Sequence, residues 1–243
     1  MTPQDAPPIV FVHGTRFSAG QWSPQIAALR DDFPVAAVDL PGHGARSAEP
    51  WSLRAATDVI ADAVDALGRG PALVVGHSLG GYASLEFARR CPERLRGLVL
   101  AGASASTRGP WATPYRWVSR LVPKVPEDRL TRWNDRLLRR LYPPELVEPT
   151  IRAGYAFHTL PAAWDEVLGR FDAGDMRHVA APVLILNGEK DTVFRSGERD
   201  FARAHPRARV ELVPRARHLA NFDDPAAFTD AVRRFARQVA VHG

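Results

Sequence analysis

The stretch Gly76-His77-Ser78-Leu79-Gly80-Gly81 constrains this chain more than any other because of what flanks it. The apolar run Ala72-Leu73-Val74-Val75 leads into it, and Tyr82 to Arg90 follows with helical periodicity. A strand that passes through G-x-S-x-G into a helix must reverse within a few residues, with its central serine in a strained backbone conformation. Glycines at 76 and 80 keep both flanks of so tight a turn free of side chains. The turn lifts the Ser78 hydroxyl clear of the sheet edge. It also aims the amides that open the helix at the same spot, where negative charge developing on an oxygen would be held.

The rest of the chain supplies the neighbours such a strand needs. Pro8 to Val12 is a continuous apolar run ending in His13-Gly14-Thr15, which reads as a central parallel strand followed by a loop. Trp22, Ile26 and Leu29 recur at helical spacing between Ser18 and Phe33, with Pro24 where a first turn tolerates it. Pro34 to Leu40 is a second strand, punctuated by Pro41-Gly42-His43-Gly44. Ser52 to Leu67 places Leu53, Val59, Ile60, Ala63, Val64 and Leu67 on one side of a helix. Leu95 to Gly102, Pro182 to Leu186 and Ala208 to Val213 are further strands, and Ser196 to Ala204 and Pro225 to Val239 further helices. The alternation predicts an α/β fold, a mainly parallel sheet with helices on both faces.

Between about 106 and 178 the pattern breaks. Trp111, Tyr115, Trp117, Trp133, Tyr142, Tyr155, Phe157 and Trp164 crowd there among several prolines, in helical patterns. Any one ring is explained by ordinary packing, which stabilises by a few kcal/mol, roughly, per ring. The insertion as a whole leaves the C-terminal end of a strand, the side on which α/β sheets bind ligands. The chain therefore divides into core residues 1–105, a helical lid at 106–178 and core residues 179–243. His13, Trp111, Tyr115, Phe157, His158 and Trp164 are candidate pocket residues. A length of 243 residues suits one core with an inserted cap better than two full domains.

Composition narrows the classes. Hydrophobic and charged contents of 45% and 24% are those of a globular domain, and nothing in them suggests disorder. The net charge of +5 is mostly arginine and forms no compact tract, so a solvated surface is expected and no nucleic-acid partner. No segment approaches the ~18 consecutive apolar residues of a membrane span, and Met1 to Pro8 lacks the pattern of a leader, so a cytoplasmic protein is expected. The single cysteine, Cys91, can form no internal disulfide and reads as a small apolar filler. No pair of histidines has ligand spacing with a carboxylate, and neither a metal nor a cofactor is expected.

Serine is a weak nucleophile at neutral pH and needs a base, which in turn needs an orienting acid. His218 follows the last strand and Asp191 the strand before it, both at C-terminal strand ends, and the order Ser78, Asp191, His218 fits a serine on such a turn. Glu189, Asp175 and Asp172 remain alternative acids. His77 is read as fixing the turn, while His43 and His205 have structural readings. The loop at His13-Gly14-Thr15 can present the Thr15 amide across from that of Leu79, and each such donor can stabilise a transition state by ~3 kcal/mol.

Together, His13-Gly14, Asp39-Leu40-Pro41-Gly42-His43-Gly44, the Gly76 to Gly81 turn, Gly188-Glu189-Lys190-Asp191 and His218 resemble the α/β-hydrolase fold superfamily. The likeness covers nearly the whole chain outside the insertion. Within the superfamily the sequence is similar to pimeloyl-carrier-protein methyl esterases, enol-lactonases and the menaquinone-pathway lyase. The resemblance implies a cofactor-independent serine hydrolase acting on a small to medium hydrophobic ester, lactone or thioester. Ser78 would be the nucleophile, His218 the base and Asp191 its orienting acid, with the Thr15 and Leu79 amides as oxyanion hole. The same residues could instead serve C–C cleavage, elimination or cyclisation in a biosynthetic pathway, or the chain could bind a ligand without turnover. Family members usually begin with an antiparallel strand pair, and the seven residues before Pro8 leave no room for one, so six strands are expected. The lyase carries arginine where this chain has Tyr82, and the dehalogenase and epoxide-hydrolase branches carry aspartate in place of Ser78; both differences argue against those assignments. Arg132, Arg136, Arg139 and Arg140 follow helical spacing in the insertion near Arg129 and Lys124. They read as a solvated face, or as a dock for an acidic carrier protein or a carboxylate-bearing substrate, the use the carboxylesterases make of lid arginines.

Overall fold

A computed structural model describes residues 6–109 and 112–241. Six strands form one sheet: β1 (Ile9–Val12), β2 (Val35–Val38), β3 (Ala72–His77), β4 (Leu95–Ala101), β5 (Val183–Gly188) and β6 (Ala208–Val213). Their order is β2-β1-β3-β4-β5-β6 and every neighbouring pair is parallel. Parallel pairing requires crossovers, which α1 (Ser23–Leu29), α2 (Leu53–Leu67) and α3 (Leu79–Arg90) supply between the first four strands. The sheet matches the six strands and parallel direction read from the sequence.

The period-2 alternation of the strands sorts their side chains into two cores. Val10, Val12, Val74, Leu98, Leu100, Val183 and Ile185 face α2 and α3. Ile9, Phe11, Leu73, Val75, Val99, Leu184 and Leu186 face the other way, onto α1 and α10 (Pro225–Val241). With both faces covered, β1, β3 and β5 are buried throughout, which is why their sequences are unbroken apolar runs. Ser52 caps α2 by accepting from the Ala55 amide at 3.0 Å, and Gly68 ends it at φ 62°.

The first helix is shorter than its periodicity suggested. A 3-10 turn over Ala19–Trp22 precedes Ser23–Leu29, because the Ala19 amide is drawn to Asp39 Oδ1 at 2.7 Å beside the C-terminal end of β2. Between β4 and β5 lie α4 (Ala112–Leu121), α5 (Glu127–Leu141), α6 (Pro144–Ala153) and α7 (Leu160–Val167). Of these, α7 is integral to the main core: Ala163, Trp164 and Val167 pack with the α3 face, as does Phe157. A third cluster, Phe17, Leu138, Tyr142, Val147 and Phe222, ties α5 and α6 to the loop after β1 and to α9 (Ala220–Asp223). The chain between β5 and β6 contributes one short helix, α8 (Glu198–Arg203).

Candidate active site

Because all strands run the same way, the loops after β1, β3, β4, β5 and β6 meet along one sheet edge. Ser78 stands at the junction of β3 and α3 with φ 51° and ψ −117°. Only Arg16 and Arg215 share a positive φ among the described non-glycine residues. The strain is held by the sheet: the Ser78 amide donates to the Ala101 carbonyl at 2.9 Å, and its own carbonyl accepts from the Gly81 amide at 2.9 Å. A Cβ on Gly76 would run into the Gly80 carbonyl and the Ser84 hydroxyl, and one on Gly80 into the His13 carbonyl, which explains both glycines.

His218 and Asp191 meet at this edge. His218 Nδ1 lies 2.7 Å from Asp191 Oδ2, and the carboxylate is buried while the imidazole keeps one side open. Asp191 Oδ1 accepts from the Phe194 amide at 3.3 Å, and the Phe194 ring stacks on His218 at 4.2 Å between centroids. Gly102, at φ 54°, also lies close against the imidazole, where a Cβ would come to 3.0 Å from the ring. The other acids are engaged elsewhere. Glu189 accepts from the Arg215 amide at 2.7 Å, and Asp172 and Asp175 cap their own turn.

A buried chain of hydrogen bonds joins the three loops. The Gly14 amide donates to Gln21 Oε1 at 2.9 Å, and Gln21 Nε2 donates to His77 Nδ1 at 3.0 Å. His77 Nε2 then carries the proton and donates to the His218 carbonyl at 3.0 Å. Each donor fixes the next acceptor, so the tautomer of His77 and the amide orientation of Gln21 are determined. Sequence reasoning placed His77 at the turn and missed Gln21, whose one signal is a polar residue on the inward side of an apolar segment. It also missed Asn187, which takes the Gly102 amide at 3.1 Å and donates to Ser104 Oγ and Glu198 Oε2.

The Thr15 and Leu79 amides make no hydrogen bond among the described residues. The candidate pocket residues divide. Tyr115 packs against Trp164 at 5.2 Å and against Phe194 at 5.9 Å, and so reaches the ring that stacks on His218. Phe157 and Trp164 are buried in the main core. His158 is exposed and, with Lys124, Glu127, Leu130 and Phe157, lines a cleft of about 250 Å³. His13 is fully buried: its Nε2 accepts from the Leu40 amide at 3.0 Å and its Nδ1 donates to the Gly14 carbonyl at 2.9 Å, so the ring fastens the loop. Trp111 lies outside the described residues. On α5, Arg132 pairs with Asp128 at 2.7 Å and Arg139 with Glu148 at 2.7 Å, whereas Arg136 and Arg140 form no ion pair among the described residues.

Burial governs the titration of the inner histidines. His13 and His77 are held well below the ordinary imidazole value, chiefly by desolvation and then by neighbouring histidines. His43 is pushed down to about 4 by the same cause. Among the described residues no group of three or more histidines, cysteines or carboxylates could hold a metal ion, and no helix is long and apolar enough to cross a membrane.

A parallel six-stranded sheet with serine on a strained strand-to-helix turn, and a histidine and a buried aspartate paired at the same sheet edge, is the architecture of a hydrolase fold. The chain belongs to the alpha/beta hydrolase family, whose sequence profile matches residues 9–231. That membership makes it an enzyme of this fold. It is 28% identical to a pimeloyl-[acyl-carrier protein] methyl ester esterase of Nitrosomonas europaea, across 93% of this chain and 94% of that protein. It is 25% identical to 3-oxoadipate enol-lactonase 1 of Acinetobacter baylyi, across 98% and 91%. A thermophilic esterase from Thermogutta terrifontis superposes with a TM-score of 0.79 at 27% identity, covering 96% of this chain and 90% of its own.

Proposed function

We propose that the chain is a serine hydrolase of carboxylic esters, lactones or thioesters. The observation that carries this reading is the 2.7 Å contact between His218 Nδ1 and a buried Asp191, at the same sheet edge as the strained Ser78. With Nδ1–H donated to the carboxylate, Nε2 is left as the acceptor for the Ser78 proton. The Ser78 oxygen attacks the carbonyl carbon, and the Thr15 and Leu79 amides hold the resulting oxyanion. His218 returns the proton to the departing oxygen or sulfur as that bond breaks, giving an acyl-Ser78. A water then attacks along the same proton route and restores the serine.

The relatives bear on the substrate through their names alone, which include a carrier-protein methyl ester and an enol-lactone. In this reading the α4 to α7 segment is a lid, and the unpaired Arg136 and Arg140 on α5 are the part of its basic face open to an acidic carrier protein. Tyr82 is buried, donates to the Ala105 carbonyl at 2.8 Å and stacks on Phe171, so the first turn of α3 offers no cation for a lyase reaction. Turnover of 4-nitrophenyl butyrate is expected, with a burst of one nitrophenolate per chain wherever deacylation is the slower step. Absence of turnover on short nitrophenyl esters, thioesters and simple lactones alike would overturn the reading.

A further inference from the structure

We propose that Arg16, with Asn134 beside it, binds a carboxylate carried by the substrate. The inference rests on the serine-hydrolase reading and adds to it a substrate class: esters or lactones that bear a second, anionic group.

Arg16 directly follows Thr15, so the guanidinium and the candidate oxyanion amide hang from one loop. Its backbone is left-handed, at φ 65°, and its carbonyl is tied to the Ala156 amide at 2.9 Å. The side chain lies over the Phe17 ring, 4.5 Å from the centroid, and Nε donates to Asn134 Oδ1 at 3.1 Å. Among the described residues no carboxylate comes within ion-pair distance of it. The ionisable groups that face it are the Tyr142 and Tyr155 phenols, raised by burial, and the His77 imidazole, held low by burial, so all three are neutral at pH 7. Asp135, the acid close by, accepts the Tyr155 proton at 2.8 Å.

Two further polar atoms point the same way. Asn134 is fully buried on α5; its Oδ1 is taken by Arg16, and its Nδ2, which faces the Tyr155 phenol, makes no full hydrogen bond among the described residues. Thr15 Oγ1 is likewise buried and without a partner. The loop that carries the candidate oxyanion amide therefore holds two polar groups short of partners among the described residues, the Arg16 guanidinium beyond its Nε and Thr15 Oγ1, with the Asn134 amide against the first of them. Burial holds the Arg16 guanidinium below its ordinary value, whereas Arg89, Arg139, Arg195 and Arg217 are all raised by a carboxylate. Arg16 is half-buried, and a cation partly withdrawn from water with no counter-ion works against folding; such groups are kept where a ligand completes them. A carboxylate fits, since its two oxygens accept both from a guanidinium fork and from an adjacent amide.

The test uses two matched pairs of esters. 4-Nitrophenyl hemiglutarate against 4-nitrophenyl valerate places the charge on the acyl side; 3-carboxyphenyl butyrate against phenyl butyrate places it on the alcohol side. In at least one pair the kcat/KM ratio of anionic to neutral ester is expected to be about 30-fold, the scale of a charged hydrogen bond, and to collapse in Arg16→Met and Arg16→Gln. Equal ratios in native enzyme and variants, for both pairs, would overturn the subsite while leaving the serine reading intact. A second measurement needs no turnover: glutarate, against sodium chloride at equal ionic strength, is expected to raise the melting temperature of Ser78→Ala but not of Ser78→Ala/Arg16→Met. If hydrolysis proves absent and this shift is seen, the serine reading fails and the subsite stands; no shift in Ser78→Ala overturns the subsite.

Discussion

Replacing Ser78 by alanine is expected to lower kcat/KM for 4-nitrophenyl butyrate by about 10⁴-fold or more, because the attacking oxygen is removed and only amide donors and binding remain. His218→Ala is expected to cost a similar factor, and the double variant no more than either, since the two residues act as a unit. Asp191→Asn is the sharper member of the series. The amide cannot hold Nδ1–H as a carboxylate does, so the wrong tautomer and an unstabilised imidazolium are expected to cost about 10³- to 10⁴-fold. A near-native rate in Asp191→Asn would transfer the role to another acid, against the placement of Glu189 on the Arg215 amide and of Asp172 and Asp175 in their own turn. The melting temperature of each variant separates lost chemistry from lost fold.

Acid is expected to unfold the protein well above the carboxylate range. His13, His43 and His77 are buried neutral, with folded-state values below the 6.5 of an exposed imidazole. The unfolded chain therefore binds protons there that the folded chain refuses. Stability is full above pH 6.5, begins to fall through that value, and goes on falling until the folded-state values are passed, about 4 for His43. Each such histidine contributes a little over 1 kcal/mol per pH unit, and three together remove about 3 to 4 kcal/mol between pH 6 and pH 5. That is a large share of a typical folding free energy of about 5 to 15 kcal/mol. Urea unfolding at the two pH values measures it, and equal midpoints would show that these rings are not neutral in the fold.

What could be read from the sequence was whatever the chain determines locally. The apolar runs that become β1, β3 and β5 are unbroken because both sheet faces are covered, and the Gly76 to Gly81 turn carries its own glycines. The parallel sheet and the gathering of Ser78, Asp191 and His218 at one edge follow from those local facts and from chain order. Residues whose roles depend on distant partners stayed hidden. Gln21 matters through Gly14 and through His77, 56 positions away, and Phe194 through its stacking on His218. Arg16 carries no signal in the sequence, since nothing in its neighbourhood in the chain shows that it lacks a carboxylate partner. The aromatic residues of the insertion were legible as apolar but not by destination: Trp164 and Phe157 went into the core, while Tyr115 reached the His218 stack. The α5 arginines looked equivalent by spacing until Asp128 and Glu148 engaged two of them.

The central claim, that Ser78 is an activated nucleophile, is tested most directly by a fluorophosphonate probe followed by mass mapping of the modified peptide. One probe per chain on Ser78, lost in Ser78→Ala and strongly slowed in Asp191→Asn, is the expected result. A native chain that stays unlabelled, or a Ser78→Ala chain that labels equally well, would contradict it.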